Sequence, residues 1–412
     1  MKPFTALLGA AAGTHAADQL ALATLPLTAT LVLGAGPDVL GLLVAVQSAA
    51  WLLVTLPAGA WVDRMPRRSL LIVGLGFGLA ASIVAVLAAV AGLTSLLGLA
   101  AFVGASGTVI YLLTTISLLP SLVPPGDLPR ANARLELARA TVSLAAPFVA
   151  GLLAQKLSPT WGYGLAALGA ALALACILAL PKAPAALTGA DRPTVWSAIR
   201  GGARFVVRHE LLRGISLCAI FWNFAFFALL AIWAPLALGP LGLDPARMGL
   251  AQSGYGAGMI LGALVAPWAS RRLPPLAILI FGPAVSVIAA ALFLAALSGD
   301  SAAGNSSVGN GFAYAAVGHF LVGFGPMLWL ICQTTVRQLV TPAPLLGRVN
   351  ATVQTAIYGV RPLGALAGGL VAAQAGLHAA LLLIAASFLL STLVIVLSPL
   401  ARLRVLPQPV AA

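Results

Sequence analysis

Charged and titratable side chains lie inside several long apolar stretches of this 412-residue sequence. Asp18 lies at the middle of the first stretch and Arg361 at the middle of the eleventh, while His15 precedes Asp18 by three residues and so shares its helix face. A charge at the centre of a membrane helix costs about 2.5–3.5 kcal/mol on insertion scales, so such residues usually move protons, bind ions or pair with one another. These three residues are therefore the first candidates for chemistry.

Two further groups carry titratable side chains. Glu136 and Arg139 are three residues apart near one end of the fifth stretch, and a structural ion pair is the favoured interpretation, with a part in proton coupling as the alternative. His319 lies in the outer third of the tenth stretch. Because imidazole titrates near neutral pH, His15 and His319 can relay protons, although a hydrogen-bonded packing role is the favoured interpretation for both.

Polar and aromatic residues in two other stretches suit a binding cavity. Tyr111 and Thr115 lie in the fourth stretch, and Trp222, Asn223 and Phe227 lie in the seventh. Apolar walls with a few orienting polar groups are typical of sites for amphipathic organic molecules. Helix packing explains hydroxyl residues equally well, so both interpretations stay open.

The elements that position these residues are membrane helices. The sequence is 61% hydrophobic and only 8% charged, whereas soluble domains are about 45–50% apolar and about 25% charged. A bilayer-spanning helix needs about 20 mostly apolar residues. Scanning for such runs predicts an all-α membrane protein with twelve transmembrane helices, at 5–33, 39–61, 69–91, 95–121, 131–155, 160–180, 214–238, 247–270, 273–298, 310–337, 347–375 and 377–400.

The distribution of positive charge predicts the orientation. The net charge of +13 could indicate nucleic-acid binding. However, 18 of the 22 Lys and Arg residues lie at the two termini and in the even-numbered connections. The positive-inside rule then places both termini in the cytoplasm of a multi-pass protein of the inner, or plasma, membrane. The first apolar run is too long for a signal peptide and is expected to be retained.

A long connection divides the chain into halves. We expect an N-terminal six-helix bundle at 1–180, a cytoplasmic linker at 181–213 and a C-terminal six-helix bundle at 214–412. In the linker, apolar residues alternate with Arg200, Arg204 and Arg208, which predicts an amphipathic helix on the inner membrane surface. A partly disordered tether is the alternative for its first ten residues.

The two halves resemble each other in sequence. Segments 129–154 and 347–372 align at an offset of 218, which pairs Arg130 with Arg348 and Asn132 with Asn350. These segments are the fifth and eleventh predicted helices, so the repeat is six helices long. Two six-helix pseudo-repeats joined by a long loop are typical of transporters whose halves rock about a site at the membrane midplane.

The loop between the second and third helices carries a recognisable motif. Its sequence GAWVDRMPRR, at 59–68, resembles the signature loop of the major facilitator superfamily: Gly59, Asp63, Arg64, Arg67 and Arg68 match, and Pro66 replaces the second glycine. With the helix count and the repeat, the resemblance covers essentially the whole chain. It implies a cytoplasmic gating loop whose Asp63 meets the start of the eleventh helix, near 347–350, where the helix dipole stabilises a carboxylate.

A narrower resemblance concerns the candidate site. Asp18 resembles the acidic residue in the first helix of the drug and siderophore exporter branch, in which segments like GVRPLGALAGG, at 359–369, recur in the eleventh helix. This implies that Asp18 is the proton-coupling carboxylate and that Arg361 is its switchable partner. A permanent pair of Asp18 with Arg361 or His15 is the alternative.

Together these features predict a secondary transporter that exports a hydrophobic or amphipathic small molecule by rocker-switch alternating access, driven by protons. The alternatives are uptake of a small organic anion clamped by Arg139 and Arg361, and a non-transporting receptor or lipid-handling protein of the same fold. No catalytic or nucleotide-binding motif occurs, so no enzyme, catalytic residue or cofactor is expected. The three cysteines lack neighbours at metal-ligand spacing, so no metal site is expected either. The expected partners are a small-molecule substrate, protons and the lipid bilayer, without nucleic acid, around a monomer.

Overall fold

A computed structural model describes residues 3–124, 127–179, 195–302, 308–342 and 345–408. Within these ranges the chain forms twelve α-helices and no β-strand, which confirms the all-α prediction. The helices are α1 (Pro3–Leu31), α2 (Pro37–Arg64), α3 (Arg67–Ala91), α4 (Thr94–Leu118), α5 (Leu128–Lys156), α6 (Thr160–Leu178), α7 (Val195–Arg208), α8 (Glu210–Leu238), α9 (Pro245–Arg272), α10 (Pro275–Ala302), α11 (Val308–Val340) and α12 (Leu346–Leu397).

The length and composition of these helices suit a bilayer. Ten of the helices in the described ranges, α2 to α6 and α8 to α12, are long and apolar enough to cross a membrane. Helix α1 has 29 residues, or about 43 Å at 1.5 Å per residue. Its apolar character is diluted by His15, Asp18 and Gln19. Each of the twelve predicted apolar runs overlaps one of these eleven long helices.

Helix α12 contains two of the predicted runs. It has 52 residues, yet its backbone leaves helical geometry at Gly376, where φ is +84° and ψ is +166°. That conformation is open essentially only to glycine. The sequence boundary drawn at residue 376 therefore coincides with a sharp turn, and the segments on either side are each long enough to cross a bilayer.

The chain divides into two compact units. The first unit comprises Met1–Ala190 and Asp244–Ser253, and the second comprises Asp191–Leu243 and Gly254–Ala412. In the first unit α1 packs against α4, α5 and α6, and α3 packs against α4 and α6. Its helices approach closely at small residues: a Cβ added to Gly107 would lie 2.4 Å from the Gly74 carbonyl oxygen. Its core is therefore formed where small residues let the helix backbones meet.

In the second unit α12 forms the most extensive packing, against α8, α10 and α7. Fully buried Ile215, Leu279, Val336, Val349 and Ile395 form part of its core. The glycine spacing on α9 also has a clear role there. Gly254, Gly258 and Gly262 each face the α11 backbone, and a Cβ added to Gly258 would lie 2.1 Å from the Phe320 carbonyl oxygen.

The predicted linker helix is present as α7. Val206 is buried against the core of the second unit, whereas Arg204 and Arg208 are exposed on the opposite face. Gly202 lies against α12, where an added Cβ would come 2.4 Å from the Arg348 carbonyl oxygen. Residues 181–194 and the side chain of Arg200 lie outside the described residues. The three-part domain boundaries stay a prediction.

Candidate functional site

Asp18 lies in the middle of α1, in the first unit, and is partly buried. Its Oδ1 accepts a hydrogen bond of 2.9 Å from the hydroxyl of Thr108 on α4, and its Oδ2 accepts one of 3.1 Å from the side-chain amide of Gln19. Each carboxylate oxygen is therefore held by a neutral donor.

The hydroxyl of Thr108 has two acceptors within reach. Besides Asp18, it lies 3.3 Å from the carbonyl oxygen of Gly104, one turn earlier on α4. A hydroxyl carries one proton, so it donates to only one of them at a time. When Asp18 is ionised, the shorter bond to the carboxylate is favoured. When Asp18 is protonated, Thr108 can donate to Gly104 and accept from the carboxyl instead.

His15 and the pair on α5 lie in the same unit. His15 is 9% exposed and lies within electrostatic reach of Asp18, Glu136 and Arg139. Arg139 Nη2 and Nε lie 2.7 and 2.8 Å from Glu136 Oε2. The side chain of Arg139 is 35% exposed and that of Glu136 is 65% exposed. Glu136 and Arg139 therefore form a local ion pair on α5. Both are near enough to His15 for their charges to act on its imidazole.

Arg361 lies on α12 in the second unit. Its Nε donates to the side-chain oxygen of Asn223 on α8 at 3.1 Å. Its guanidinium also lies 5.0 Å from the ring centre of Phe227 and 4.8 Å from that of Tyr358, which is within the range of cation–π attraction. Three residues predicted from sequence, Asn223, Phe227 and Arg361, thus form one cluster. Because Asp18 and Arg361 belong to different units, their pairing stays a prediction.

The side chain of Trp222 contacts different residues from that of the adjacent Asn223. Its indole nitrogen donates to the Ser286 hydroxyl on α10 at 3.0 Å, and its ring stacks on Phe226 at 5.1 Å. Phe226 also stacks on Tyr255. Trp222 therefore belongs to an aromatic group beside the Arg361 cluster on α8.

His319 and the residues of the fourth run are more enclosed. His319 is 6% exposed, its Nδ1 lies 2.9 Å from the Ala315 carbonyl oxygen, and its ring contacts Trp233 and Phe293 edge-to-face. Tyr111 and Thr115 are buried in the first unit, and their hydroxyl oxygens have no hydrogen-bond partner among the described residues. This environment favours packing for His319, and it leaves the cavity assignment of Tyr111 and Thr115 a prediction.

The signature loop is a short turn between α2 and α3. Met65 and Pro66 have φ of −107° and −57°, so neither position requires glycine, and the second value is the one that a proline ring imposes. This explains how Pro66 can stand where the family pattern has glycine. Nη2 of Arg68 donates to the Leu178 carbonyl at the end of α6, at 2.8 Å.

The structure describes the positions of most of the other residues that match the signature loop. Gly59 lies on α2 with open space around its Cα, Arg64 ends α2 and is exposed, and Arg67 begins α3. The side chain of Asp63 lies outside the described residues. The predicted role of Asp63 in the gating loop, in which it meets the start of the eleventh predicted helix, therefore stays a prediction.

Several side chains at these clusters were not expected from the sequence. Tyr358 precedes Arg361 by three residues, so helix periodicity could have found it. Gln19 adjoins Asp18 but gave no signal beyond being polar. Ser286 on α10 lies 64 positions from Trp222, and only the fold brings them together. Within the described residues, no group of three or more His, Cys, Asp or Glu residues is placed to hold a metal ion.

One family model matches most of the chain. The family model described as Major Facilitator Superfamily matches residues 7–318. The Enterobactin exporter EntS of Salmonella choleraesuis (strain SC-B67) is 28% identical over 253 residues, which is 61% of this chain and 57% of that protein. The match thus spans less than two thirds of this curated relative.

Solved structures of low sequence identity share the fold. The crystal structure of a bacterial homologue of the iron transporter ferroportin in its inward-facing state has a TM-score of 0.74 at 17% identity, covering 96% of this chain and 98% of that chain. The nucleoside transporter NupG has a TM-score of 0.75 at 16% identity, covering 96% of this chain and 98% of that chain. The relatives found are transporters by name rather than enzymes.

Proposed function

Since the chain belongs to the Major Facilitator Superfamily, we propose that it is a secondary transporter that exports a hydrophobic or amphipathic small molecule in exchange for protons. The similarity to the Enterobactin exporter EntS supports export. The single observation that carries the proton-coupled part is the carboxylate of Asp18. It lies at the centre of a membrane helix and is hydrogen-bonded by neutral Thr108 and Gln19.

The membrane arrangement is part of this proposal. Twelve spans follow if α1 crosses the bilayer and α12 crosses it twice, turning at Gly376. Both termini then lie in the cytoplasm, on the side of the basic loops. Helices α5 and α12 begin at Leu128 and Leu346, which have the same offset of 218 as the sequence repeat. This supports two six-helix halves that alternate access to a site at the membrane midplane of a monomer in the inner membrane.

The coupling step uses the two hydrogen-bonding states of Thr108. With Asp18 ionised, the Thr108 hydroxyl donates to the carboxylate and links α1 to α4. Protonation removes the charge and lets this hydroxyl turn to Gly104. The link between the two helices is therefore weaker in the protonated state, because a hydrogen bond to a charged acceptor is stronger than one between neutral groups. Proton binding in this way alters the contact between α1 and α4.

The substrate site is proposed at the Arg361 cluster. Phe227 and Tyr358 offer ring faces, and Asn223, the hydrogen-bond partner of the guanidinium, carries no charge. Aromatic faces suit a flat or apolar part of a substrate, and a guanidinium binds carboxylates and other oxyanions in a bidentate manner. The same observation favours uptake of a small organic anion as the second candidate.

The test is growth of cells with and without the gene on toxic compounds that are anionic, neutral or cationic, combined with proton flux in everted vesicles. We expect resistance to at least one amphipathic class and substrate-induced release of protons from vesicles acidified inside. Asp18→Asn should abolish both, whereas Glu136→Gln, a matched change at the exposed α5 pair, should leave both within about twofold. Equal resistance in wild type and Asp18→Asn would contradict the proposal. Substrate accumulation inside intact cells would favour uptake.

A further inference from the structure

A narrow cavity runs through the first unit beside Asp18. On α1 it is lined by Thr14, Ala17, Asp18, Ala21 and Leu25, which share one helix face over twelve residues and span about 16 Å at 1.5 Å per residue. The residues that line it on α3 and α4 also extend over twelve positions each, from 74 to 85 and from 97 to 108. The cavity is thus long and parallel to the helices, and it lies entirely within one unit.

The size and lining of the cavity suit water. It offers about 40 Å³ of space, and one water needs about 10–15 Å³ in that measure. A buried water also needs two to four polar partners. Six polar side chains line it, and the other walls are alanine, glycine and leucine: Thr14, Asp18, Gln47, Ser82, Thr108 and Tyr163. Two to three waters fit this space, whereas an amphipathic organic molecule does not.

An unsatisfied hydroxyl lies toward one end of the cavity. Tyr163, on the first turn of α6, is 3% exposed. Its hydroxyl is directed toward Thr28 on α1, but neither oxygen has a hydrogen bond of ordinary geometry to any described residue. A buried hydroxyl without a hydrogen-bond partner lowers the free energy of unfolding by about 1–3 kcal/mol, unless a water molecule bonds to it. Thr28 lies ten residues beyond Asp18, near the end of α1 that the proposed topology places outside.

Few titratable groups surround the cavity. His15 lies one turn before Asp18, and Glu136 and Arg139 on α5 act on it electrostatically. Tyr163 on α6 lines the cavity itself, and Tyr111 on α4 is buried nearer the other end of the bundle, with Leu7 and Ile177. The α2 and α3 residues that line the cavity contain no titratable side chain. Asp18 is therefore the acid that this row of waters reaches.

We propose that protons reach Asp18 from the outer side through this water-holding cavity inside the first unit, between Tyr163 and Thr108, rather than through the substrate path. A proton passes from outside water along the row and binds Asp18 Oδ1 or Oδ2, and no covalent bond other than O–H changes. The inference rests on the proposed proton coupling and adds its route. It separates proton entry from substrate passage, so the two do not compete for one opening.

A pair of glycines on α3 offers a matched test. Gly78 lines the cavity, and an added Cβ there would meet only the Ala170 Cβ, at 4.0 Å, so a larger side chain would enter the space. Gly76 lies two residues away on the same helix, is not among the lining residues, and has no atom within 4 Å of an added Cβ. Gly78→Leu should fill the cavity, and Gly76→Leu is the control for the same substitution outside it.

The readout is infrared difference spectroscopy of the purified protein without substrate. The carboxyl band of Asp18 is identified by its loss in Asp18→Asn, and it is followed by hydrogen–deuterium exchange. Gly78→Leu should slow exchange at least tenfold, because the carboxyl group loses contact with water in the cavity. Gly76→Leu should leave the exchange rate unchanged.

Tyr163→Phe gives a second variant that preserves packing. It should slow exchange at least threefold, since it removes a relay hydroxyl but leaves the space beside Asp18 unchanged. Equal behaviour of Gly78→Leu and Gly76→Leu, together with unchanged exchange in Tyr163→Phe, would overturn the route while leaving proton coupling by Asp18 intact. Absence of any Asp18 carboxyl band in the wild type would overturn the coupling role and the route together.

Discussion

The side-chain oxygen of Asn223 accepts a hydrogen bond from Arg361 Nε at 3.1 Å, while the nitrogen of the same amide donates to the Ala219 carbonyl at 2.9 Å. Asn223 therefore cannot turn away without breaking two bonds. The guanidinium is thus held at Nε, and the rings of Phe227 and Tyr358 border it. In the proposed substrate site this planar group would meet an anionic part of the ligand.

Arg361→Lys tests whether this fixed geometry matters beyond charge. Lysine keeps the positive charge but lacks the planar fork and the extended cation–π surface. We expect the apparent affinity for an anionic or aromatic substrate to fall about tenfold or more, with expression unchanged. Transport of that substrate in vesicles over a concentration series measures it.

The control for Arg361→Lys is Arg247→Lys, at an exposed arginine that pairs locally with Asp244. This change should leave transport unaltered. If Arg361→Lys transported the same substrate with wild-type affinity, the cluster would be a packing feature of α8 and α12 and the substrate site would lie elsewhere.

Thr108→Val tests the hydrogen bond to Asp18. Valine has nearly the same shape but no hydroxyl, so the ionised carboxylate loses one of its two described donors. Losing a hydrogen bond to a charged group costs about 1.5–3 kcal/mol, so we expect the free energy of unfolding to fall by about that amount. Thermal unfolding in detergent at neutral pH measures the loss.

Thr108→Ser retains the hydroxyl and should unfold at nearly the wild-type temperature. A thermal midpoint in Thr108→Val that matched the wild type would show that the hydrogen bond to Asp18 does not stabilise the fold.

His319 allows packing to be separated from proton relay. His319→Phe keeps a ring between Trp233 and Phe293, so we expect folded protein whose proton-driven transport stays within about twofold of the wild type. His319→Ala removes the ring and should lower the free energy of unfolding by about 2–5 kcal/mol through the cavity it leaves. Thermal unfolding in detergent and vesicle transport measure the two effects. Normal folding of His319→Phe with loss of proton-driven transport would instead establish the relay.

Gly258→Val tests the close approach of α9 to α11. The added Cβ would lie 2.1 Å from the Phe320 carbonyl oxygen, so the helices must separate, at a cost of about 1–3 kcal/mol. Thermal unfolding in detergent should show a lower midpoint. Gly164→Val on α6 is the control, because an added Cβ there meets nothing within 4 Å. Equal midpoints for the two variants would contradict the role of the Gly258 contact.

The sequence was sufficient to predict the helices because each one had to cross an apolar medium. Length and hydropathy located every long helix, and the break at residue 376 was placed where the backbone turns at Gly376. The turn at Met65 and Pro66 was harder to predict from the sequence. The family pattern has a glycine at position 66, and only the backbone angles show that none is needed there.

The site was predicted in part. The cost of charge in a membrane identified Asp18 and Arg361, but it says nothing about which neutral groups hold them. Thr108 lies 90 positions from Asp18, and Asn223 lies 138 positions from Arg361. Such pairings depend on how helices rotate and pack, and a single sequence does not encode that rotation in its hydropathy. The cavity beside Asp18 is likewise a property of packed small residues.

The turn at Gly376 also bears on how the protein is made. In the proposed topology the segments before and after Gly376 both cross the bilayer and are joined without a loop. We therefore expect them to insert as one helical hairpin, and a reporter fused after residue 375 should impair insertion of the segment before it.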